Sequence, residues 1–275
     1  VIIAYVAVGL CAVAYGLASV LQSIGARRVA AGDRIDPRSL AKVAIQLPYM
    51  AGLGLDGFGW LLSLVALAQL PLFVVQAVVA GAIGFVVLFS AIIQKVRPTR
   101  RQILFIVALF AGLLGLAISG APDEARSTPA SFTWAMWIGA IAIGIAGVLV
   151  PRWLKSERAA ALLGGLAGLA FGGTALCART LIAEISVNDL RDPLLWAMAV
   201  FGALGFIFFT AALQRGSATI STAWMFTAET VVPAIIGLAV LGDSARNGFA
   251  GLAAAAFVVT IVSAVGLTLV SPPID

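Results

Sequence analysis

The chain reads as nine apolar runs, with most of its charged residues confined to the breaks between them. The runs are about 1–26, 46–69, 71–94, 99–119, 132–151, 159–186, 193–214, 217–241 and 247–270. Roughly 20 residues at 1.5 Å rise cross a ~30 Å hydrocarbon core. Within that layer each backbone N–H and C=O must find its partner inside the protein, so runs of this length are helices. The expected fold class is all-α, a polytopic transmembrane helical bundle. Composition agrees: 62% of residues are hydrophobic and 11% charged, with a mean hydropathy of +1.10. The net charge of +5 does not point to nucleic acid, because the basic residues sit at span ends. Histidine is absent, which removes the commonest metal ligand and the usual proton shuttle. Cys11 and Cys177 lie inside spans without metal-ligand spacing. No cofactor or metal is expected, and the sequence has no nucleotide-binding loop that would couple it to ATP.

Lysine and arginine set the orientation. Loops one, three, five and seven hold thirteen of them, and the opposite side only Arg126, Arg191 and Arg246. The positive-inside rule places the thirteen in the cytoplasm, the N-terminus outside and the C-terminus inside. The expected location is a bacterial-type plasma membrane, with lipid as a constant partner. Within the long first loop, RSLAKVAIQ reads as an interfacial helical lead-in to span 2, with Pro48 at the junction.

Spans 2–4 and 7–9 share a layout at an offset of 146: Gly59 falls on Gly205, and Ala66-Leu67 on Ala212-Leu213. Span 1 matches span 6 at an offset of 156, with Tyr15-Gly16 on Phe171-Gly172. The expectation is two repeat units, 1–120 and 156–275, joined through an external loop and a linking span over 121–155. One span between two four-span units turns the second unit upside down, a plan that puts a site near the midplane.

Two segments carry a family resemblance. They are GWLLSLVALAQLPLFVVQAVVAGAIGFVVLFSAIIQKVRPTRRQ and GFIFFTAALQRGSATISTAWMFTAETVVPAIIGLAVLGD. Each resembles the repeat of the drug/metabolite transporter superfamily with EamA-like units: a span ending in Ala-Leu, a short turn, then a span running into a charged turn. Pro233 in TAETVVPAIIG is similar to the proline of that family's penultimate span. The resemblance covers nearly the whole chain and implies a secondary transporter. Members usually have five spans per half. The four-plus-five layout looks like the NIPA-type magnesium transporters of the same superfamily, whose acidic residue lies closer to the span end than Asp56 does. The first half also lacks the usual proline and has Gly81 to Gly84 nearby instead.

Chemistry at membrane depth comes from few residues. Asp56 lies roughly 12 Å into span 2, and Glu229 roughly 18 Å into span 8. Pro233 leaves the carbonyl four residues back, that of Glu229, without its donor. Ionisable groups at such depth read as functional unless they are protonated packing acids. The glycines around Asp56, among them Gly57, allow close helix approach, a local break or a route for water; Gly57 and Pro233 are the hinge candidates. Arg179, roughly 10 Å from the outer end of span 6, either pairs with Glu229 or Asp56 or snorkels to headgroups; in the cavity it would hold an anionic group. Gln76, Thr222, Trp224, Tyr15 and Trp60 complete the expected binding set, with core packing the alternative for each aromatic. Gly164, Gly168 and Gly172 make a close-packing ridge.

The function these features imply is alternating-access transport of a small metabolite or an amphipathic, lipid-linked solute, coupled to protons through Glu229. Passage of Mg²⁺ and flipping of a lipid-linked sugar are the alternatives within transport. A membrane enzyme lacks the sizeable acidic external loop it needs, and a non-transporting partner subunit is the remaining class.

Overall fold

The computed structural model describes residues 2–26, 28–29, 37–94, 98–119, 128–154, 156–182, 191–216, 218–241 and 243–270. Arg126, Asp123, Glu124, Glu184, Lys95, Arg97 and Lys155 fall outside them. The elements are α1 (Ile2–Ala26), α2 (Pro37–Ala44), α3 (Leu47–Leu67), α4 (Leu72–Ala80), α5 (Ala82–Gln94), α6 (Arg100–Ser119), α7 (Ala130–Trp153), α8 (Ser156–Leu181), α9 (Pro193–Arg215), α10 (Ala218–Ile236) and α11 (Ala250–Val270). The fold is an all-α bundle. Among the described residues nine spans are long and apolar enough to cross a membrane, with α4 and α5 forming one of them. By length and composition this is an integral membrane protein.

Span ends follow local rules. Thr99 and Gln102 cap α6 reciprocally: Thr99 N–H donates to Gln102 Oε1 at 2.7 Å, and Gln102 N–H to Thr99 Oγ1 at 3.3 Å. At α9, Asp192 Oδ1 accepts from Leu194 N–H at 2.7 Å ahead of Pro193 at the first helical position. The RSLAKVA segment forms α2, as the sequence predicts, and Ser39 on it accepts from Gln214 Nε2 of α9 at 2.9 Å. Span 3 is interrupted at Gly81, where a side chain would collide with Leu113 of α6. Span 8 runs through Pro233 as α-helix and loosens into a π-turn at Gly237–Leu241.

The helix pairings are paired in turn. α1 packs on α3 as α8 packs on α9; α1 packs on α5 as α8 packs on α10; α6 lies on α11 and α4 on α10. α7 sits outside, on α8 and α9. The predicted glycine ridge of α8 meets α10. A Cβ at Gly164 would overlap the Ser221 carbonyl, one at Gly168 the Met225 carbonyl, and one at Gly172 would lie 2.5 Å from Pro233 Cγ. The Glu229 carbonyl freed by Pro233 faces Gly172, 3.4 Å from that Cβ position. Because the obstruction at Gly168 is backbone, rotamer changes cannot relieve it. Gly168→Val is therefore expected to destabilise the protein by about 1–3 kcal/mol or more, read as a lower midpoint in a thermal-stability assay, while Gly165→Val, with open space around it, leaves that midpoint nearly unchanged.

Candidate functional site

Five helices enclose a cavity of about 360 Å³. α1 contributes Tyr15 and Ser19; α3 contributes Asp56, Gly57 and Trp60; α8 contributes Phe171 and Thr174. Five α9 residues, Met198, Ala199, Gly202, Phe206 and Phe209, form one wall, and Met225, Phe226 and Glu229 of α10 another. The volume lies within the usual range for small-molecule sites, about 300–1,000 Å³. A smaller chamber of about 50 Å³ adjoins it, lined by Ser63, Leu67, Gln76 and Glu229 among others.

The sequence brings these walls together through small residues. Gly52 and Gly59 of α3 face α1: a Cβ at Gly52 would meet Gln22 and the Ala18 carbonyl, and one at Gly59 would lie 2.8 Å from the Tyr15 ring. Gly54 and Gly57 look into open space. α3 is unbroken through this stretch, so of the three roles open to its glycines, close approach is the one taken by Gly52 and Gly59. In the other half Gly205 packs on the Phe171 ring, 2.6 Å from its Cβ position, as Gly59 packs on Tyr15. α3 and α9 meet where Tyr49 OH hydrogen-bonds with Thr210 Oγ1. Beside the cavity, the lining residues Gly57 of α3 and Ala199 of α9 are both exposed.

Asp56 and Glu229 are the only carboxyl groups among the described lining residues. Gln22 of α1, fully buried, donates its Nε2 to Asp56 Oδ2. Glu229 is 9% exposed, and its side chain makes no hydrogen bond to a described residue. Gln76, 2% exposed, lines the small chamber beside Glu229, and its Nε2 has no partner. A chamber of this size holds a water, and Gln76 and Glu229 supply two polar partners for one.

Arg179 sits elsewhere. It is 2% exposed, donates to the Leu67 carbonyl at the end of α3, and pairs with Asp243 at 3.4 Å. Neither Glu229 nor Asp56 is its partner, and it does not snorkel. Asp243 Oδ2 also accepts from Leu72 N–H at 2.6 Å, at the start of α4. One buried ion pair thus ties together the ends of α3, α4, α8 and the segment after α10. Of the other expected site residues, Tyr15, Trp60 and Gly57 line the main cavity and Gln76 the side chamber. Thr222 is buried but does not line either one, and Trp224 is 54% exposed on the outer face of α10. Pro233 packs against Gly172 behind Glu229. Sequence reasoning missed the aromatic wall of Phe171, Phe206, Phe209 and Phe226, whose only signal is aromatic density in apolar spans. Gln22, which the sequence offers only as a weaker polar candidate late in span 1, is the partner of Asp56.

Comparison with family models, curated proteins and solved structures finds no match to this chain.

Proposed function

We propose that this protein is a secondary transporter of the drug/metabolite type, moving an amphipathic solute by alternating access. The observation that carries this reading is a cavity between the two halves of the chain, holding two carboxyl groups and bounded at each end by contacts that join those halves. At one end these are Tyr49 with Thr210 and Ser39 with Gln214. At the other they are Arg179 with Leu67 and Asp243 with Leu72. Opening either set while the other holds would expose the cavity to one side at a time. The inverted-repeat reading is supported by the matched helix pairings and by Tyr15 on Gly59 mirrored by Phe171 on Gly205. The two acids are not symmetry mates: Asp56 corresponds at the offset of 146 to Gly202, which lines the cavity across from it.

The exposure of the lining residues Gly57 of α3 and Ala199 of α9 favours a second, related reading, flipping of a lipid-linked solute whose tail stays in the bilayer. Transport of Mg²⁺ has less support, since that ion demands about six oxygen ligands and the walls here are mostly apolar and aromatic.

Purified protein in proteoliposomes tests the proposal. A solute found by thermal-shift screening should accumulate against its gradient when a proton gradient is imposed, and no accumulation of any stabilising solute would refute the reading. Orientation is tested alongside it. A cysteine at Arg101 or Arg158, both exposed, should be shielded from impermeant reagents added outside cells, and one at Arg246 should label. The reverse pattern would invert the proposed topology.

A further inference from the structure

We infer that the cavity selects organic monocations with an apolar body, and that each such cation takes the place of one proton on the Asp56–Glu229 pair. This rests on the transporter reading for its biological use, but the binding site stands on its own geometry.

The sign of the charge follows from what faces the cavity. Its described lining holds two carboxyl groups and no basic side chain. Arg179, the one arginine within reach of the midplane, is held at the bundle end by Asp243 and the Leu67 carbonyl. An anion would therefore meet two acids and no countercharge. A neutral sugar or polyol would need many hydrogen bonds, and the main wall offers few polar groups: Ser19, Thr174, the Tyr15 hydroxyl and the Trp60 indole. A cation with an apolar body suits both features. Carboxylates neutralise its charge, and aromatic faces at Tyr15, Trp60, Phe171 and Phe206 attract it further. Glu229 has no hydrogen-bond partner among the described residues, so it is the acid open to a ligand. Gln22 holds Asp56 in place.

Two carboxylates sharing one apolar chamber cannot both stay charged without a counterion. With the site empty, protons fill that role. On binding, a carboxylic acid gives its proton to water and its carboxylate keeps the cation, so charge balances. The titratable groups facing Glu229 are few: Cys11 and Tyr15 from α1 and Asp56 from α3. α4 has none, and α10 has only Glu229 itself. On α9 the one charged residue is Arg215, at the far end. Those of α8 lie at its two ends, Glu157 and Arg158 at one and Arg179 at the other, and its thiol Cys177 is buried near that second end. Proton exchange therefore belongs to the two acids.

The test uses the full chain, purified, with two small aromatic ions of opposite sign, phenyltrimethylammonium and benzenesulfonate. Calorimetry should show the cation binding and the anion not. Affinity for the cation should weaken as pH falls, and protons should be released to the buffer on binding. Glu229→Gln and Asp56→Asn should each weaken cation binding by on the order of thirtyfold to a thousandfold, the scale for losing one partner of a buried charge pair. Equal binding of benzenesulfonate, or an affinity on the wild type that does not change with pH, overturns the inference, and the second result needs no variant to fold. Uptake into vesicles is read separately. If the cation binds but is not moved, the inference holds and the transporter reading falls. If another solute is moved and the cation does not bind, the reverse is true.

Discussion

Asp243→Ala is expected to destabilise the folded protein by about 3–5 kcal/mol, because it strands a buried guanidinium without its countercharge. The Arg179–Asp243 pair is almost wholly sealed, with side-chain exposures of 3% and 0%. Removing the carboxylate also leaves the Leu72 N–H without its acceptor, and an unsatisfied buried donor adds its own cost. In a thermal-stability assay the midpoint should fall by on the order of 10 °C. Arg246→Ala is the control. Arg246 is exposed and lies over the Phe249 ring at 5.9 Å, and its loss should cost under about 0.5 kcal/mol. Replacing both members of the buried pair, Arg179→Met with Asp243→Leu, should recover part of the loss, since two apolar groups do not demand each other's charge. Recovery stays partial because Leu67 and Leu72 lose their side-chain partners. A single Asp243→Ala as stable as the wild type would mean that this end of the bundle is held by other contacts. Since Arg179 and Asp243, both in the second half, each hold a backbone group of the first, at Leu67 and Leu72, their loss should also raise leak of bound solute toward that side if the ends gate the cavity as proposed.

Glu229→Gln is expected to abolish uphill accumulation of solute while leaving the thermal midpoint nearly unchanged. The substitution keeps the shape of the side chain and its capacity for hydrogen bonds. It cannot take up or release a proton. Proton and solute binding are linked reciprocally where they share a site. Removing one of the two acids breaks the exchange, so a pH gradient no longer drives transport. Downhill exchange of solute across the membrane should persist at reduced affinity, carried by Asp56. Counterflow in proteoliposomes separates the two activities. A Glu229→Gln protein that accumulates solute as well as the wild type would make Glu229 a packing acid.

The sequence by itself determined the spans, their boundaries within a few residues, the helix preceding span 2 and the ridge of small residues on α8. These follow from the one-dimensional pattern of apolar and charged residues and from local rules for glycine and proline. It also placed Asp56 and Glu229 at mid-depth, because depth is simply a count along a helix. What it left open was the rotation of each helix about its axis. In a soluble helix an apolar stripe marks the inner face. Here α3, α9 and α10 show no such stripe, since one side meets protein and the other is apolar enough to meet lipid. Nothing in the periodicity therefore tells that Trp224 faces outward, or that Phe206 and Phe209 face the cavity. The same limit hid the partner of Arg179. Glu229 and Asp56 were the partners its depth suggested, and only the packing of α8 against the start of α4 and the end of span 8 selects Asp243 instead, 64 residues away. That choice emptied the cavity of positive charge, and so the tertiary structure, rather than the sequence, decided which sign of ligand the site is built to hold.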